Sequence, residues 1–83
     1  MGTLVEERRE EIRAIVADIL EIEVDELTDT APFKETYGTD SLRAIEILAA
    51  LERRLDIVID QAELARMVHL QGVYDVVADA ASA

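Results

Sequence analysis

The chain has no cysteine and no tryptophan, and it has only one proline and three glycines. Without cysteine, neither a disulfide framework nor a thiolate metal site can form, so apolar burial must stabilise the fold. One proline and three glycines also leave too few turns for an all-β domain. Since 51% of the 83 residues are hydrophobic, the chain can build a helical core. We therefore expect a single all-α domain over residues 1–83.

Basic residues are scarce too: 8 Lys and Arg stand against 19 Asp and Glu, for a formal net charge of −11. Nucleic acid and anionic membrane surfaces are poor partners for this charge, because binding to them depends on clustered Lys and Arg. No apolar run approaches the roughly 18 residues of a spanning helix, and no signal pattern follows Met1. We expect a cytoplasmic monomer that attracts basic proteins. Alternatively, the acidity only keeps a small domain in solution.

Apolar residues recur at helical spacing in three segments, which predict three main helices. The first segment opens with the capping box Thr3-Leu4-Val5-Glu6 and continues to about Leu20. The second runs from about Ser41 to Arg54, and the third starts near Leu70. Together with a short helix before the last one, they predict a four-helix bundle.

The short helix is expected from Gln61 to about Met67, with Asp60 as its cap and Glu63 as the capping-box partner. Before it, the chain is predicted to be extended, with Ile57 and Ile59 pointing the same way. Gly72 lowers the stability of the last helix by roughly 1 kcal/mol relative to alanine. This end of the bundle is therefore predicted to be a hinge.

Helical periodicity fails between Glu21 and Thr39, which predicts a long loop between the first two helices. One helical turn is possible over Asp25-Glu26-Leu27. A loop of this length is either functional or held by anchors, and the aromatic side chains of Phe33 and Tyr37 are the predicted anchors.

The second helix has two apolar stripes rather than one. Its core stripe consists of Ala44, Ile47, Leu48, Leu51 and Leu55. An outer stripe of Leu42, Ile45 and Ala49 lies on nearly the opposite side. Either both faces of the helix are buried or the outer stripe is left for a partner, and the small size of the chain favours a partner.

Reactive side chains are few, which argues against an enzyme. The sequence holds two serines, Ser41 and Ser82, one histidine, His69, and one lysine, Lys34. A serine nucleophile needs a His or Lys base within reach, and no spacing here suggests a triad. No Asp-x-Asp-x-Asp-Gly run predicts a calcium loop. We expect no catalytic residue and no metal site.

Ser41 stands at the predicted start of the second helix and has two interpretations. Asp40 or Ser41 is an ordinary N-cap. Alternatively, another enzyme modifies Ser41 with a phosphate-containing group, which the amides and dipole of a helix N-terminus favour. The chain has no thiol, so any thioester would require a prosthetic arm.

The run Gly38-Thr39-Asp40-Ser41-Leu42, followed by Ile45-Glu46-Ile47 and Leu51-Glu52, resembles the attachment motif of acyl carrier proteins. The order of helices agrees over essentially the whole chain. The resemblance implies an acyl-carrier-like four-helix bundle in which Ser41 carries 4'-phosphopantetheine, whose thiol holds acyl intermediates as thioesters. A phosphopantetheinyl transferase would attach the arm, and ketosynthase, acyltransferase, reductase or dehydratase partners would use it.

By the same resemblance, the second helix docks partner enzymes and a gap beside it shelters the acyl chain. The implied docking residues are Asp40, Leu42, Ile45, Glu46, Ala49 and Glu52. The implied acyl-chain pocket consists of Leu51, Ile59, Leu64 and Met67.

The sequence departs from the family pattern at several positions. Tyr37 replaces the usual leucine before the glycine, and Asp60 stands where a proline is common. Arg43, Arg53 and Arg54 dilute the acidic helix of fatty-acid carriers. With these departures, the sequence resembles the discrete carriers of type II-like polyketide synthases more than the carriers of fatty-acid synthesis. The alternatives are a fatty-acid synthase carrier and, in a different class, an unmodified acidic helical interaction module.

Overall fold

The computed structural model describes residues 4–82, apart from the side chain of Ser82. Its three long α-helices are α1 (Leu4–Leu20), α3 (Ser41–Leu55) and α4 (Leu70–Ser82), and α1 packs against both others. Within these residues there is no strand, so the predicted all-α bundle is confirmed. The capping box at Thr3 lies outside the described residues.

The core consists of the apolar stripes that the periodicity predicts. From α1 it takes Val5, Ile12, Ile15, Val16 and Leu20, from α3 Ile47, Leu48, Leu51 and Leu55, and from α4 Leu70, Val73, Tyr74 and Val77. No polar or charged side chain of the described residues is buried among them, so apolar burial dominates the stability of the fold.

Residues 21–40, here called the first connector, are more ordered than the sequence predicts. A 3-10 turn forms over Val24–Glu26, and a five-residue α-helix, α2, over Phe33–Tyr37. The prediction of a plain loop at α2 was wrong, because five residues are too few to show helical periodicity. The helix stops at Gly38, whose φ of 68° is left-handed and which donates its N–H to the carbonyl of Lys34.

Side chains anchor the first connector to the bundle. Phe33 is buried, and the hydroxyl of Tyr37 donates to the carbonyl of Glu26 at 3.0 Å and accepts from the amide of Thr28 at 3.3 Å. The Arg13 guanidinium of α1 donates to the carbonyl of Val24 at 3.0 Å. The two aromatic anchors are thereby confirmed, and the hydroxyl explains what a tyrosine adds at position 37.

Residues 56–69, the second connector, begin at Asp56, whose left-handed φ of 54° ends α3, and later form a six-residue 3-10 helix, Gln61–Arg66. The predicted extended segment is therefore wrong at Asp56. Ile59 is buried and Ile57 is partly buried against the core, whereas Val58 is exposed, as predicted for an extended segment. The Asp60 carboxylate accepts from the amide of Ala62 at 2.9 Å, which confirms the predicted cap.

Two contacts at the end of the second connector differ from the prediction. Glu63 accepts from the Arg66 guanidinium at 2.6 Å, and Arg66 also donates to Asp79 of α4 at 2.7 Å. A Cβ on Gly72 would lie 1.9 Å from the carbonyl oxygen of Arg66. Glycine at position 72 therefore permits close packing of the connector on α4, which argues against a free hinge there.

Candidate functional site

Ser41 lies at the mouth of α3, and the residues before it fix its position. Asp40 is extended, with φ −116° and ψ −178°, and its carboxylate accepts from the amide of Arg43 at 3.2 Å. Asp40 is therefore the N-cap, and Ser41 is the first helical residue. Because the cap is supplied by the neighbour, the exposed Ser41 hydroxyl is left available for modification.

Arg43, in the first turn of α3, joins the start of this helix to the end of α1. Its guanidinium donates to the carbonyl of Ile19 at 2.8 Å and to the Glu21 carboxylate at 2.8 Å, and it lies 3.6 Å from Glu46. The carbonyl of Ile19 is at the C-terminal end of α1, where helix carbonyls lack intrahelical partners. Arg43 therefore satisfies that carbonyl and orients α3, which gives this departure from the family pattern a structural role.

A cleft of about 860 Å³ opens beside Ser41; we call it the Ser41 cleft. One wall comes from the first connector, one from α3 and one from the second connector. Its lining residues are Leu20, Pro32, Phe33, Lys34, Glu35, Thr39, Asp40, Ser41, Arg43, Ala44, Ile47, Leu64, Ala65, Met67 and Val68. The two connectors are joined at the cleft by the amide of Phe33, which donates to the carbonyl of Val68 at 2.8 Å. An apolar chain attached near Ser41 would find apolar side chains there.

The four residues predicted for an acyl-chain pocket fall into two pairs. Leu64 and Met67 line the Ser41 cleft. Leu51 and Ile59 do not; they are buried in the core. Periodicity identifies the face of a helix that points inward, but it does not separate residues packed in a core from residues lining a cavity. Phe33, Ile47 and Val68 are among the other apolar residues of the lining. The sequence predicted Phe33 to be an anchor and Ile47 to belong to the core stripe, and it did not single out Val68.

The outer stripe of α3 is largely uncovered. Leu42 is 60% exposed and Ile45 is 45% exposed, while Ala49 is half-buried. Of the two alternatives for the outer stripe, burial on both faces is therefore wrong at its N-terminal end. Large apolar side chains that remain exposed next to one another are typical of a protein-binding surface.

The predicted acidic docking residues are each engaged within the chain. Asp40 caps α3, and Glu46 lies near Arg43. The Glu52 carboxylate accepts from the amide of Ile59 at 3.0 Å. Glu52 therefore holds the start of the second connector, a contact that its position on a helix surface does not reveal.

A second groove, of about 670 Å³, runs between α1 and α3 and has a mixed charge. Glu11, Asp18 and Glu46 line it together with Arg53 and Arg54. The small side chains of Ala14, Ala49 and Ala50 also line it. The groove does not include Ser41, so the two depressions flank α3 on different sides.

His69 has a structural contact in place of a catalytic one. Its Nδ1 accepts from the amide of Gly72 at 2.9 Å and so caps the first turn of α4.

Across the described part of the chain, no group of three or more His, Asp or Glu side chains is placed to hold a metal ion. Likewise, none of the helices in residues 4–82 is both long and apolar enough to cross a membrane.

Comparison with known proteins identifies the family. The family model described as "Phosphopantetheine attachment site" matches residues 10–77. The polyketide-8 synthase acyl carrier protein 1 of Streptomyces avermitilis is 65% identical over 74 residues, covering 89% of this chain and 88% of that protein. The chain belongs to the acyl carrier protein family. Its cofactor is 4'-phosphopantetheine, and this carrier holds acyl groups as thioesters on that arm.

More distant relatives agree with this assignment. The acyl carrier protein of Akkermansia muciniphila is 41% identical over 69 residues, covering 83% of this carrier and 82% of that one. Among solved structures, a chain in that of the ishigamide ketosynthase/chain length factor has a TM-score of 0.78 and 38% identity. The alignment covers 93% of this carrier and 97% of that chain, so the two chains are nearly the same length. These relatives named as acyl carrier proteins are carriers rather than catalysts.

Proposed function

We propose that this carrier bears its arm on Ser41 and serves a type II-like polyketide synthase without catalysing a reaction itself. The observation that supports the attachment point is the position of Ser41, exposed at the first residue of α3 and at the mouth of an apolar cleft. In the attachment step, Ser41 Oγ bonds to the phosphorus of coenzyme A that bears pantetheine. The diphosphate bond breaks, adenosine 3',5'-bisphosphate leaves with the other phosphate as its 5'-phosphate, and the proton of the Ser41 hydroxyl is released to the transferase or to solvent.

The test of attachment uses both serines of the chain. Incubation with a phosphopantetheinyl transferase and coenzyme A should add one arm to the wild type and to Ser82→Ala, and none to Ser41→Ala. Intact-mass spectrometry reads the outcome. A wild type that gains no mass, under conditions that load another carrier protein, would instead support the acidic interaction module.

The polyketide assignment is supported by the 65% identity to a polyketide synthase carrier. It is supported further by the match to a chain of similar length in a ketosynthase/chain length factor structure. We therefore propose a ketosynthase as one partner, with acyltransferase, reductase and dehydratase partners following from the same pathway. A fatty-acid carrier is the second candidate, since more distant relatives are named only as acyl carrier proteins. Faster transfer to a polyketide ketosynthase than to a fatty-acid ketosynthase would separate the two.

For docking, we propose the outer stripe of α3, supported by the exposure of Leu42 and Ile45. Of the predicted acids, Glu46 is the best candidate for steering, because its charge is only loosely paired with Arg43 at 3.6 Å. Glu46→Lys should slow acyl transfer to a basic partner, more at low salt than at high salt. Glu10→Lys, an equal charge reversal on an exposed residue of α1, is the control. Equal slowing by both variants would show only an effect of net charge.

For the cargo, we propose the Ser41 cleft in place of the deeper position predicted from sequence. Moving an acyl chain out of water contributes about 0.8 kcal/mol per CH₂. A medium-length acyl chain should therefore raise the melting temperature and shift the amide signals of Ile47, Leu64 and Met67. Larger shifts of the amide signals of Leu51 and Ile59 would instead support the pocket predicted from sequence.

A cytoplasmic location and a monomeric state remain predictions.

A further inference from the structure

The Ser41 cleft is lined mostly by apolar side chains but also has four charged ones. Two are carboxylates, Glu35 and Asp40, and two are cations, Lys34 and Arg43. An arm on Ser41 adds one phosphodiester, which is negatively charged at neutral pH. The nearest carboxylate in sequence is that of Asp40, and like charges close together repel. The modified cleft therefore needs a compensating cation.

Arg43 is not free to compensate for this charge. Its guanidinium already binds the carbonyl of Ile19 and the carboxylate of Glu21, each at 2.8 Å, and lies near Glu46. Turning it towards a phosphate would leave the carbonyl at the end of α1 without this donor. The energetic cost of leaving such contacts exceeds the gain from one exposed ion pair.

Lys34, unlike Arg43, forms no ion pair with a carboxylate of the described residues. It is exposed on α2. It is also the only lysine of the chain, in a protein with a net charge of −11. A lysine stem packs along apolar surface while its ammonium stays in water, which suits the rim of an apolar cleft.

We propose that Lys34 is a binding residue for the phosphodiester of the arm, a proposal that rests on attachment at Ser41. Because the phosphate is bonded directly to Ser41 Oγ, its position is fixed to within a few bonds of that residue, unlike that of the thiol or the cargo. Lys34 lines the same cleft as Ser41 and belongs to α2 of the first connector, so its flexible side chain is next to the space that the phosphate would enter. The contact holds the root of the arm towards the cleft and thereby directs the rest of the arm along the apolar lining.

The test compares arm-free and arm-bearing protein in four forms: wild type, Lys34→Gln, Lys34→Arg and Arg53→Gln. Arg53→Gln is the matched control, since it removes one exposed positive charge from α3 at a residue that does not line the cleft. Intact mass first establishes that each form carries one arm. The ³¹P signal of the single phosphodiester and the side-chain ammonium signal of the single lysine are then recorded at low and high salt.

The expected result is that Lys34→Gln shifts the ³¹P signal, whereas Lys34→Arg and Arg53→Gln leave it near the wild-type position. Attachment of the arm should also slow exchange of the ammonium protons in the wild type. In a urea double-mutant cycle, the arm and Lys34 should couple by about two- to fivefold in the unfolding equilibrium at low salt, and less at high salt.

Two outcomes overturn the proposal, and they are distinguishable. If the arm is attached but Lys34→Gln and Arg53→Gln have the same ³¹P signal and the same coupling, the phosphate is held by general electrostatics and only the role of Lys34 is wrong. If no mass is gained by the wild type, attachment at Ser41 is wrong as well, and the proposal for Lys34 falls with it.

Discussion

The two connectors of this carrier both line the Ser41 cleft, but different contacts hold each of them against the bundle. Each contributes a wall of the Ser41 cleft, and each contains a short helical element between two long helices. The first connector is fastened by side chains of Arg13 and Tyr37 that hydrogen-bond to its backbone carbonyls. The second is held at its start by the Glu52 carboxylate, which accepts from the amide of Ile59, and at its end by the close approach of Gly72 to a backbone carbonyl and by exposed ion pairs of Arg66.

This difference shows where the stability of each wall resides. In the first connector, each hydrogen bond to a backbone carbonyl depends on one side chain, so a single substitution should remove it and lower the free energy of unfolding. Exposed ion pairs contribute little, so the second connector depends more on close backbone packing and on the hydrogen bond to Glu52 than on the ion pairs of Arg66. Three substitutions test this comparison, each by urea unfolding at 25 °C.

Gly72→Ala should have the largest effect, a loss of about 3 kcal/mol in the free energy of unfolding. The added Cβ would lie 1.9 Å from the carbonyl oxygen of Arg66, so either the second connector or α4 must move. Helix propensity alone predicts the opposite sign, a gain of about 1 kcal/mol. The control is Gly38→Ala, where no atom lies within 4 Å of the new Cβ and only the left-handed φ costs about 1 kcal/mol. If Gly72→Ala instead raised the free energy of unfolding, the second connector would be able to move away from the added Cβ at little cost.

Tyr37→Phe should lower the free energy of unfolding by about 1 kcal/mol, because the backbone of the first connector loses its contacts at Glu26 and Thr28. Tyr74→Phe is a matched control: the Tyr74 hydroxyl is buried and has no hydrogen-bond partner in the described residues, so its removal should cost nothing or stabilise. Equal losses in the two variants would mean that the Tyr37 hydroxyl does not anchor the connector.

Arg66→Gln should have the smallest effect, at most about 0.5 kcal/mol, because both of its ion pairs are exposed. Asp79→Asn removes the cross-helix partner, and the double variant should lose little more than either single one. The small difference should vanish in high salt, where surface charges are screened. If Arg66→Gln lowered the free energy of unfolding by several kcal/mol, the ion pairs of Arg66 would be a main source of stability for the second connector, contrary to the comparison.

Burial raises the pKa of the Tyr74 phenol, and the nearby Arg9 and Arg13 guanidinium groups only partly oppose this. Since the folded state holds the proton more tightly than the unfolded state, the stability from burying the neutral phenol is complete below the unfolded pKa of about 10. It is lost as the pH rises from that value through the folded pKa. Tyr74→Phe should therefore unfold with a weaker dependence on alkaline pH, which urea titrations above pH 9 would measure.

The sequence predicted the long helices, the cap at Asp60 and the position of Ser41, because all depend on periodicity or on neighbouring residues. It did not predict α2, since a single helical turn ending at Gly38 has no repeat to detect. It misjudged Gly72, because the carbonyl it packs against belongs to a different element. Likewise, the bond from the amide of Ile59 to Glu52 joins two elements that only the folded chain brings together.

The hydrogen bond between Phe33 and Val68 has a mechanical consequence. It ties the segment before Ser41 to the segment just before α4, and both residues of the bond line the cleft. Cargo that pushes the second connector outward must either break this bond or pull the first connector with it. If the bond holds, filling of the cleft would displace the backbone that leads into Ser41, and an arm attached at the proposed site would shift at its base with the cargo.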